Sequence, residues 1–277
     1  MTTMQTKKND LVLKIIVAAS FAAMVFVNYL AQMLPLNGQT PGQISDSLLN
    51  LFAPAGLTFS IWGVIYILLA AFSIFQFGFY KGTPAARTID NIRIVFIISS
   101  LANIAWIFSW HYLRFGLSMV FMAVLLISLI IINLRMDKKS LNLLEKAVFR
   151  LPFSLYFGWI TVATVANVTS WLVSFKWNGF GLAEQGWTVI ILIVAALIGA
   201  LTMYRRRDIA YGLVLIWAYI GIYIKHQSSK PLPLGFDGNY PLIMGTVIAC
   251  LVLFAVTEGY LIWRAIKHKR NESSAKV

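Results

Sequence analysis

The chain alternates long hydrophobic runs with short polar segments. A bilayer core requires about 20 apolar residues per crossing helix. Eight runs meet this need, at 11–33, 55–79, 94–113, 115–134, 151–175, 186–204, 209–224 and 240–263. The seventh run is the shortest, and only His111–Arg114 separates the third run from the fourth. The pattern predicts an all-α, polytopic transmembrane helical bundle of about eight spans.

Composition supports this class. Hydrophobic residues make up 59% of the chain and charged residues 12%, whereas ordinary soluble domains carry about 25% charged residues. The single cysteine, Cys250, lies in an apolar run and has no second cysteine with which to form an internal disulfide. The first run is longer than a signal-peptide core and lacks a typical cleavage site, so we expect it to be a retained span.

The basic residues predict an orientation through the positive-inside rule. If the N-terminus is cytoplasmic and eight spans follow, the outer side holds only Arg114, Lys176, Lys225 and Lys230 of the 23 Lys and Arg residues. We therefore expect a multi-pass protein of the inner or plasma membrane with both termini in the cytoplasm. The net charge of +13 is spread over cytoplasmic segments beside the helices. It indicates contact with the lipid bilayer and argues against nucleic acid as a partner.

Three of the runs carry aromatic and amide side chains at helical spacing. The stripes consist of Phe59, Trp62 and Tyr66; of Asn103, Trp106 and Trp110; and of Tyr156, Trp159, Ala163 and Asn167. Unpaired amides and phenols are costly in hydrocarbon, so these faces should point to other helices or to a ligand. Three such faces turned towards one another would form a pocket that suits flat lipophilic molecules. Plain core packing is the alternative for each deep Trp.

Two further polar features belong to the same picture. Asn28 and Gln32 share a face of the first run and would join the pocket or form hydrogen bonds between helices. The longest external loop, 34–54, lacks Lys and Arg and contains an amphipathic stretch from Ile44 to Phe52. The loop is either a lid over the pocket or a simple connector.

Residues for catalysis or metal binding are sparse. Glu258 is the only carboxylate inside a hydrophobic run. It either extends towards the membrane surface or pairs with a basic neighbour, or else it serves as a coupling or catalytic carboxylate. His111, His226 and His268 lie far apart, with no metal-ligand spacing. No nucleophile–base pair or phosphate-binding glycine loop is evident. The sequence therefore disfavours an enzyme and predicts no catalytic residue, no metal site and no required cofactor.

The three stripes resemble the TspO/MBR family, the tryptophan-rich sensory proteins related to the mitochondrial translocator protein. APAGLTFSIWGVIY resembles the second helix of that family, SLANIAWIFSW the third and YFGWITVATVAN the fifth. Family members have five transmembrane helices, so the resemblance covers about Leu11 to Phe175. It implies a five-helix core at 1–175 with the lid loop at 34–54. The resemblance leaves the last three spans unexplained; the hydrophobic runs predict three additional helices at 176–266, followed by a basic cytoplasmic tail at 267–277.

The resemblance also implies a function. Family members bind tetrapyrroles such as porphyrin or haem, or other flat lipophilic molecules, inside the bundle, and a homodimer is possible. Sensing, receptor function, transport and porphyrin modification are all roles that the family suggests. Two other classes stay open from the residues: a secondary transporter or permease for a small lipophilic or amphipathic solute that uses Glu258, and a scaffold that binds partners through its last three spans.

Overall fold

The computed structural model describes residues 2–34, 36–78, 86–136 and 141–274. These ranges are helical, with short connections. The helices are α1 (Thr2–Met33), α2 (Pro41–Ser47), α3 (Ile61–Phe75), α4 (Ala86–His111), α5 (Phe115–Met136), α6 (Leu143–Glu145), α7 (Leu151–Ser174), α8 (Glu184–Arg206), α9 (Ile209–Gln227) and α10 (Pro241–Ser274).

The described residues contain eight helical segments that are long and apolar enough to cross a membrane. This confirms the predicted all-α polytopic bundle and its eight spans. Some groups used to predict the orientation and the lid lie outside the described residues or have undescribed side chains. They are Lys7, Lys8, Pro35, Lys81, Arg87, Lys138, Lys139, Lys269, Arg270 and Lys276.

The fifth span begins earlier than the hydrophobic run predicts. It covers Leu143–Ser174, because Asn142 starts the helix with a capping box in which its side chain and that of Glu145 each accept a backbone N–H. Glu145, which the sequence placed between spans, is consequently buried within the span. A π-helical turn, Lys146–Arg150, precedes α7 and widens the backbone ahead of Pro152, which has no N–H to donate.

The eighth span also continues beyond its hydrophobic run. α10 extends to Ser274, so most of the predicted basic tail at 267–277 forms the end of a helix. The remaining residues, 275–277, lie outside the described part of the chain.

The chain divides into two compact units. The N-terminal unit contains residues 1–48 and 59–176, and the C-terminal unit contains residues 49–58 and 177–277. The division after residue 176 lies next to the domain boundary that the sequence predicts at 175. Residues 49–54, which were assigned to the lid loop, belong to the C-terminal unit.

Five long helices of the N-terminal unit form a closed ring. Around the ring, α1 packs on α4, α4 on α5, α5 on α7, α7 on α3, and α3 on α1. α2 lies against α4 at one end of the ring, which we call the top. The opposite end, where α1 enters the membrane span, is the base. A closed ring gives every helix an inward face, and this explains why polar groups are tolerated at membrane depth.

Phenylalanines and an ion-pair network close the base. Phe72 lies 4.9 Å from Phe153 and 5.3 Å from Phe96, measured between ring centroids. Below this layer the guanidinium of Arg93 is 1% exposed and forms an ion pair with the Asp10 carboxylate at 2.7 Å. This pair ties α4 to α1 with a charge-assisted hydrogen bond.

The C-terminal unit is a three-helix bundle with a short strap. α10 packs against both α8 and α9, and α8 and α9 pack against each other. The strap, residues 49–58, lies along α9. Its Ala55 N–H donates to the Gly221 carbonyl at 3.0 Å, and its Leu51 carbonyl lies 2.8 Å from Nε2 of His226.

Candidate functional site

Five rings from α7 and the α3 segment, including the turn before that helix, meet inside the N-terminal unit. We call Phe59, Trp62, Tyr66, Tyr156 and Trp159 the aromatic cluster. The Trp62 ring lies at its centre, with centroid distances of 5.3 Å to Tyr66, 5.7 Å to Tyr156 and 6.2 Å to Trp159. Phe59 packs edge-on against Trp159 at 5.7 Å. Two of the three predicted stripes therefore face each other.

Two hydrogen-bond donors in the aromatic cluster have no partner among the described residues. The indole N–H of Trp159 and the hydroxyl of Tyr66 are both buried and unpaired. Leaving such groups unsatisfied away from water is costly. The Trp62 and Tyr66 side chains are only half-buried, so one edge of the cluster is accessible.

A chain of hydrogen bonds supports the cluster from the other side of the ring. The Asn28 amide donates to the Asn103 side-chain oxygen at 2.7 Å, and the Asn103 amide donates to the Tyr156 hydroxyl at 3.1 Å. The Tyr156 hydroxyl in turn lies 3.9 Å from Sδ of Met24. The chain joins α1, α4 and α7, so Asn28 forms an interhelical bond, which was one of its two predicted roles. Gln32 is exposed.

The remaining predicted groups form a second constellation nearer the top, which we call the Trp106 network. The Trp106 indole N–H donates to the Asn167 side-chain oxygen at 2.8 Å, and the Asn167 amide donates to Oγ of Ser118 at 3.0 Å. Trp106 and Trp110 stack at 5.9 Å, and Trp110 meets Phe115 edge-on at 5.2 Å.

Nine of the ten residues that the sequence selected thus lie in two constellations, and Ala163 belongs to neither. Asn103 joins the aromatic cluster through Tyr156, whereas Trp106, Trp110 and Asn167 belong to the Trp106 network. Ala163 is half-buried on α7. Ser118 and Phe115 were missed because they lie on α5, where the sequence shows no aromatic and amide stripe.

The first part of the predicted lid is attached to the top of α4. Thr40 caps α2 and forms a capping box with Gln43. The Trp110 indole N–H donates to the Pro41 carbonyl at 3.2 Å, and the Asn37 amide donates to the His111 carbonyl at 2.9 Å. These bonds fix α2 to the same helix that carries the Trp106 network.

A groove also opens at the top of the N-terminal unit. Its volume is about 540 Å³, and it is lined by residues 113–117 together with Trp171, Ser174 and Phe175. Gly116 lies close to the Trp171 indole. The groove does not include any of the ten predicted residues.

These features define a class of protein. Eight apolar helices, with buried aromatic and amide groups inside a ring of five, make the chain a multi-pass membrane protein with a polar interior. Histidine, cysteine, aspartate and glutamate form no group of three within the described residues that would hold a metal ion.

The family model described as TSPO-like protein matches residues 14–260. Because this range covers most of the chain, the protein belongs to the TSPO-like family, and the predicted family membership is confirmed. The match continues past Phe175, where we expected the resemblance to end, and so includes α8, α9 and most of α10. Comparisons with curated proteins and with solved structures gave no match.

Proposed function

We propose that the protein binds a flat lipophilic ligand at the aromatic cluster, and that tetrapyrroles such as protoporphyrin or haem are the leading class. The observation that carries the proposal is the pair of unpaired donors, Tyr66 and Trp159, within a group of five rings. A tetrapyrrole offers an extended π-surface on which the rings can stack. Its carboxylate oxygens can accept hydrogen bonds from the two unpaired donors.

Membership of the TSPO-like family also supports the proposed binding of a flat lipophilic ligand. The half-buried Trp62 and Tyr66 rings provide the edge at which a planar molecule would enter. Tyr156 takes a different part, because its hydroxyl is already bonded to Asn103. It holds the cluster in position, while Tyr66 and Trp159 contact the polar edge of the ligand.

Two conservative substitutions test this assignment. Tyr66→Phe and Trp159→Phe each remove one unpaired donor and keep an aromatic ring. If the donors bind ligand, each change should raise the Kd for protoporphyrin by about 2- to 10-fold, which is the net value of one hydrogen bond. Binding is followed by the absorbance of the porphyrin in detergent or nanodiscs, against a porphyrin blank in the same lipid.

Trp187→Phe is the matched control. Trp187 also has a buried, unpaired indole N–H, but it lies on α8 in the C-terminal unit. Its substitution should leave the Kd unchanged. The proposal fails if Tyr66→Phe and Trp159→Phe leave the Kd unchanged, or if Trp187→Phe alters it as much as they do.

A further inference from the structure

The C-terminal unit also contains a buried carboxyl group at membrane depth, that of Glu258. Glu258 on α10 is only 5% exposed, and neither of its carboxylate oxygens has a hydrogen-bond partner among the described residues. Buried carboxylates in membrane helices are normally paired, because the charged form is costly in apolar surroundings.

The Glu258 carboxyl group packs tightly against Gly212 of α9. A Cβ added at Gly212 of α9 would lie 2.6 Å from Oε2 of Glu258 and 2.5 Å from Cε of Met203 on α8. The carboxyl group therefore fits against the α9 backbone only because position 212 is glycine. Met203 is fully buried, so this contact brings no water to the carboxyl group.

The ionisable groups that the three helices and their connection carry at the end where α8 joins α9 are Tyr204, Arg205, Arg206, Arg207, Asp208, Tyr211, Tyr260, Arg264, Lys267 and His268. Asp208 lies close enough to Glu258 to interact with it electrostatically, and two charged carboxylates repel each other. The Asp208 carboxylate also caps α9 by accepting the Tyr211 N–H at 3.2 Å. A neutral carboxylic acid suits this position better than a second carboxylate does.

Glu258 is close to one end of the C-terminal unit. The Gly212 N–H donates to the Asp208 carbonyl, which places the carboxyl group about 5 Å, one helical turn, from the junction of α8 and α9. Towards the other end, Leu215 and Phe254 fill the core. A Cβ added at Gly199 would lie 2.5 Å from the Leu215 side chain and 3.4 Å from Phe254. This apolar layer separates Glu258 from the far end.

We infer that Glu258 is a reversible proton-binding site that exchanges its proton only through the end where α8 joins α9. Binding combines the carboxylate with one proton from water at that end and forms the neutral acid. Release returns the proton and leaves a charge beside Gly212. The charged form requires water, so α10 must separate from α9 locally when the proton leaves. This inference does not rest on tetrapyrrole binding.

Infrared difference spectroscopy on the full-length protein in sealed vesicles tests the site directly. Raising the pH should remove a carboxylic-acid C=O band and produce carboxylate bands. Glu258→Gln should abolish this pH-dependent pair. The matched control is Glu184→Gln, which changes an exposed carboxylate on α8 and should retain the pair. ¹³C-labelled glutamate in the unsubstituted protein should shift the band, which assigns it to a glutamate rather than an aspartate and, together with Glu258→Gln, separates Glu258 from the buried Glu145.

The sidedness is tested in the same vesicles. A pH step applied to one face should change the band, whereas a step on the opposite face should act only after a proton ionophore is added. The inference is wrong if the band persists in Glu258→Gln, if it does not shift with labelled glutamate, if it responds equally to both faces, or if it follows sodium concentration at fixed pH.

Discussion

The side-chain amide of Asn28 on α1 donates a hydrogen bond of 2.7 Å to the side-chain oxygen of Asn103 on α4. Both side chains are buried, 75 positions apart in sequence. The Asn103 amide in turn donates a hydrogen bond to the hydroxyl of Tyr156 in the aromatic cluster. The polar chain therefore couples the packing of three helices to the position of Tyr156, the residue that holds the aromatic cluster in place.

We expect this bond to stabilise the bundle measurably. Interhelical polar contacts in membrane proteins contribute about 0.6 kcal/mol on average and up to about 1.7 kcal/mol. Asn28→Ala, Asn103→Ala and the double variant should show a coupling free energy in this range. Asn103→Ala should be the more harmful single change, because it removes two interhelical hydrogen bonds, whereas Asn28→Ala removes one.

The free energy of unfolding in mixed micelles, followed by circular dichroism, measures the coupling. Gln32→Ala, at an exposed position on the same helix, is the control and should change stability little. Strictly additive effects of Asn28→Ala and Asn103→Ala would contradict the predicted coupling.

Two tryptophans should differ in their contribution to stability. Trp106→Phe and Trp159→Phe remove the same atoms from buried positions, but only the Trp106 N–H has a protein acceptor, Asn167. In ligand-free protein Trp106→Phe should therefore be more destabilising by about 1 kcal/mol. Denaturant titrations of the two variants compare them directly. If the two variants lose equal free energy of unfolding, the hydrogen bond from Trp106 to Asn167 makes no net contribution to stability.

The sequence predicted the helices well because hydrophobic length and helical spacing are local properties. It also identified Trp62, Tyr156 and Trp159 as inward-facing residues. It did not predict which stripe meets which, because that depends on the order of helices around the ring. For this reason Trp106 and Trp110 were placed in one pocket with the others, whereas they bond and stack with residues near the top of the ring.

The periodicity of the sequence also could not predict which distant segments pack closely against each other. The sequence singled out Glu258 as an unusual carboxylate, but its burial depends on Gly212, which lies on another helix. The capping box of Asn142 and Glu145 illustrates a different limit. Its signal was present in the sequence, but a search for hydrophobic runs does not detect a helix start in a polar segment.

The strap at 49–58 depends on a single small residue of α9. A Cβ added at Gly221 would overlap the Thr58 side chain, and the Gly221 carbonyl accepts the Ala55 N–H. Gly221→Ala should therefore displace the strap and lower stability by about 1–3 kcal/mol. Thermal unfolding followed by tryptophan fluorescence measures the loss, since Trp217 donates to the Thr58 carbonyl.

Gly245→Ala on α10 is the matched control for the strap, because nothing lies within 4 Å of a Cβ at that position. It should leave the unfolding temperature unchanged or raise it slightly, since alanine favours helix more than glycine does. If the Gly221→Ala variant is as stable as the Gly245→Ala variant, the strap does not pack closely against α9 at position 221.

The two constellations predict different effects on ligand binding. Trp62 is half-buried at the centre of the aromatic cluster, so Trp62→Leu should remove stacking area and raise the Kd for protoporphyrin by about 10-fold, equivalent to about 1.4 kcal/mol. Trp110 stacks on Trp106 and bonds to Pro41, so Trp110→Leu should lower stability but leave the Kd of the folded protein unchanged. Porphyrin absorbance titrations at matched folded fraction separate the two effects. If Trp110→Leu raises the Kd and Trp62→Leu does not, the ligand binds at the Trp106 network under α2 and not at the aromatic cluster.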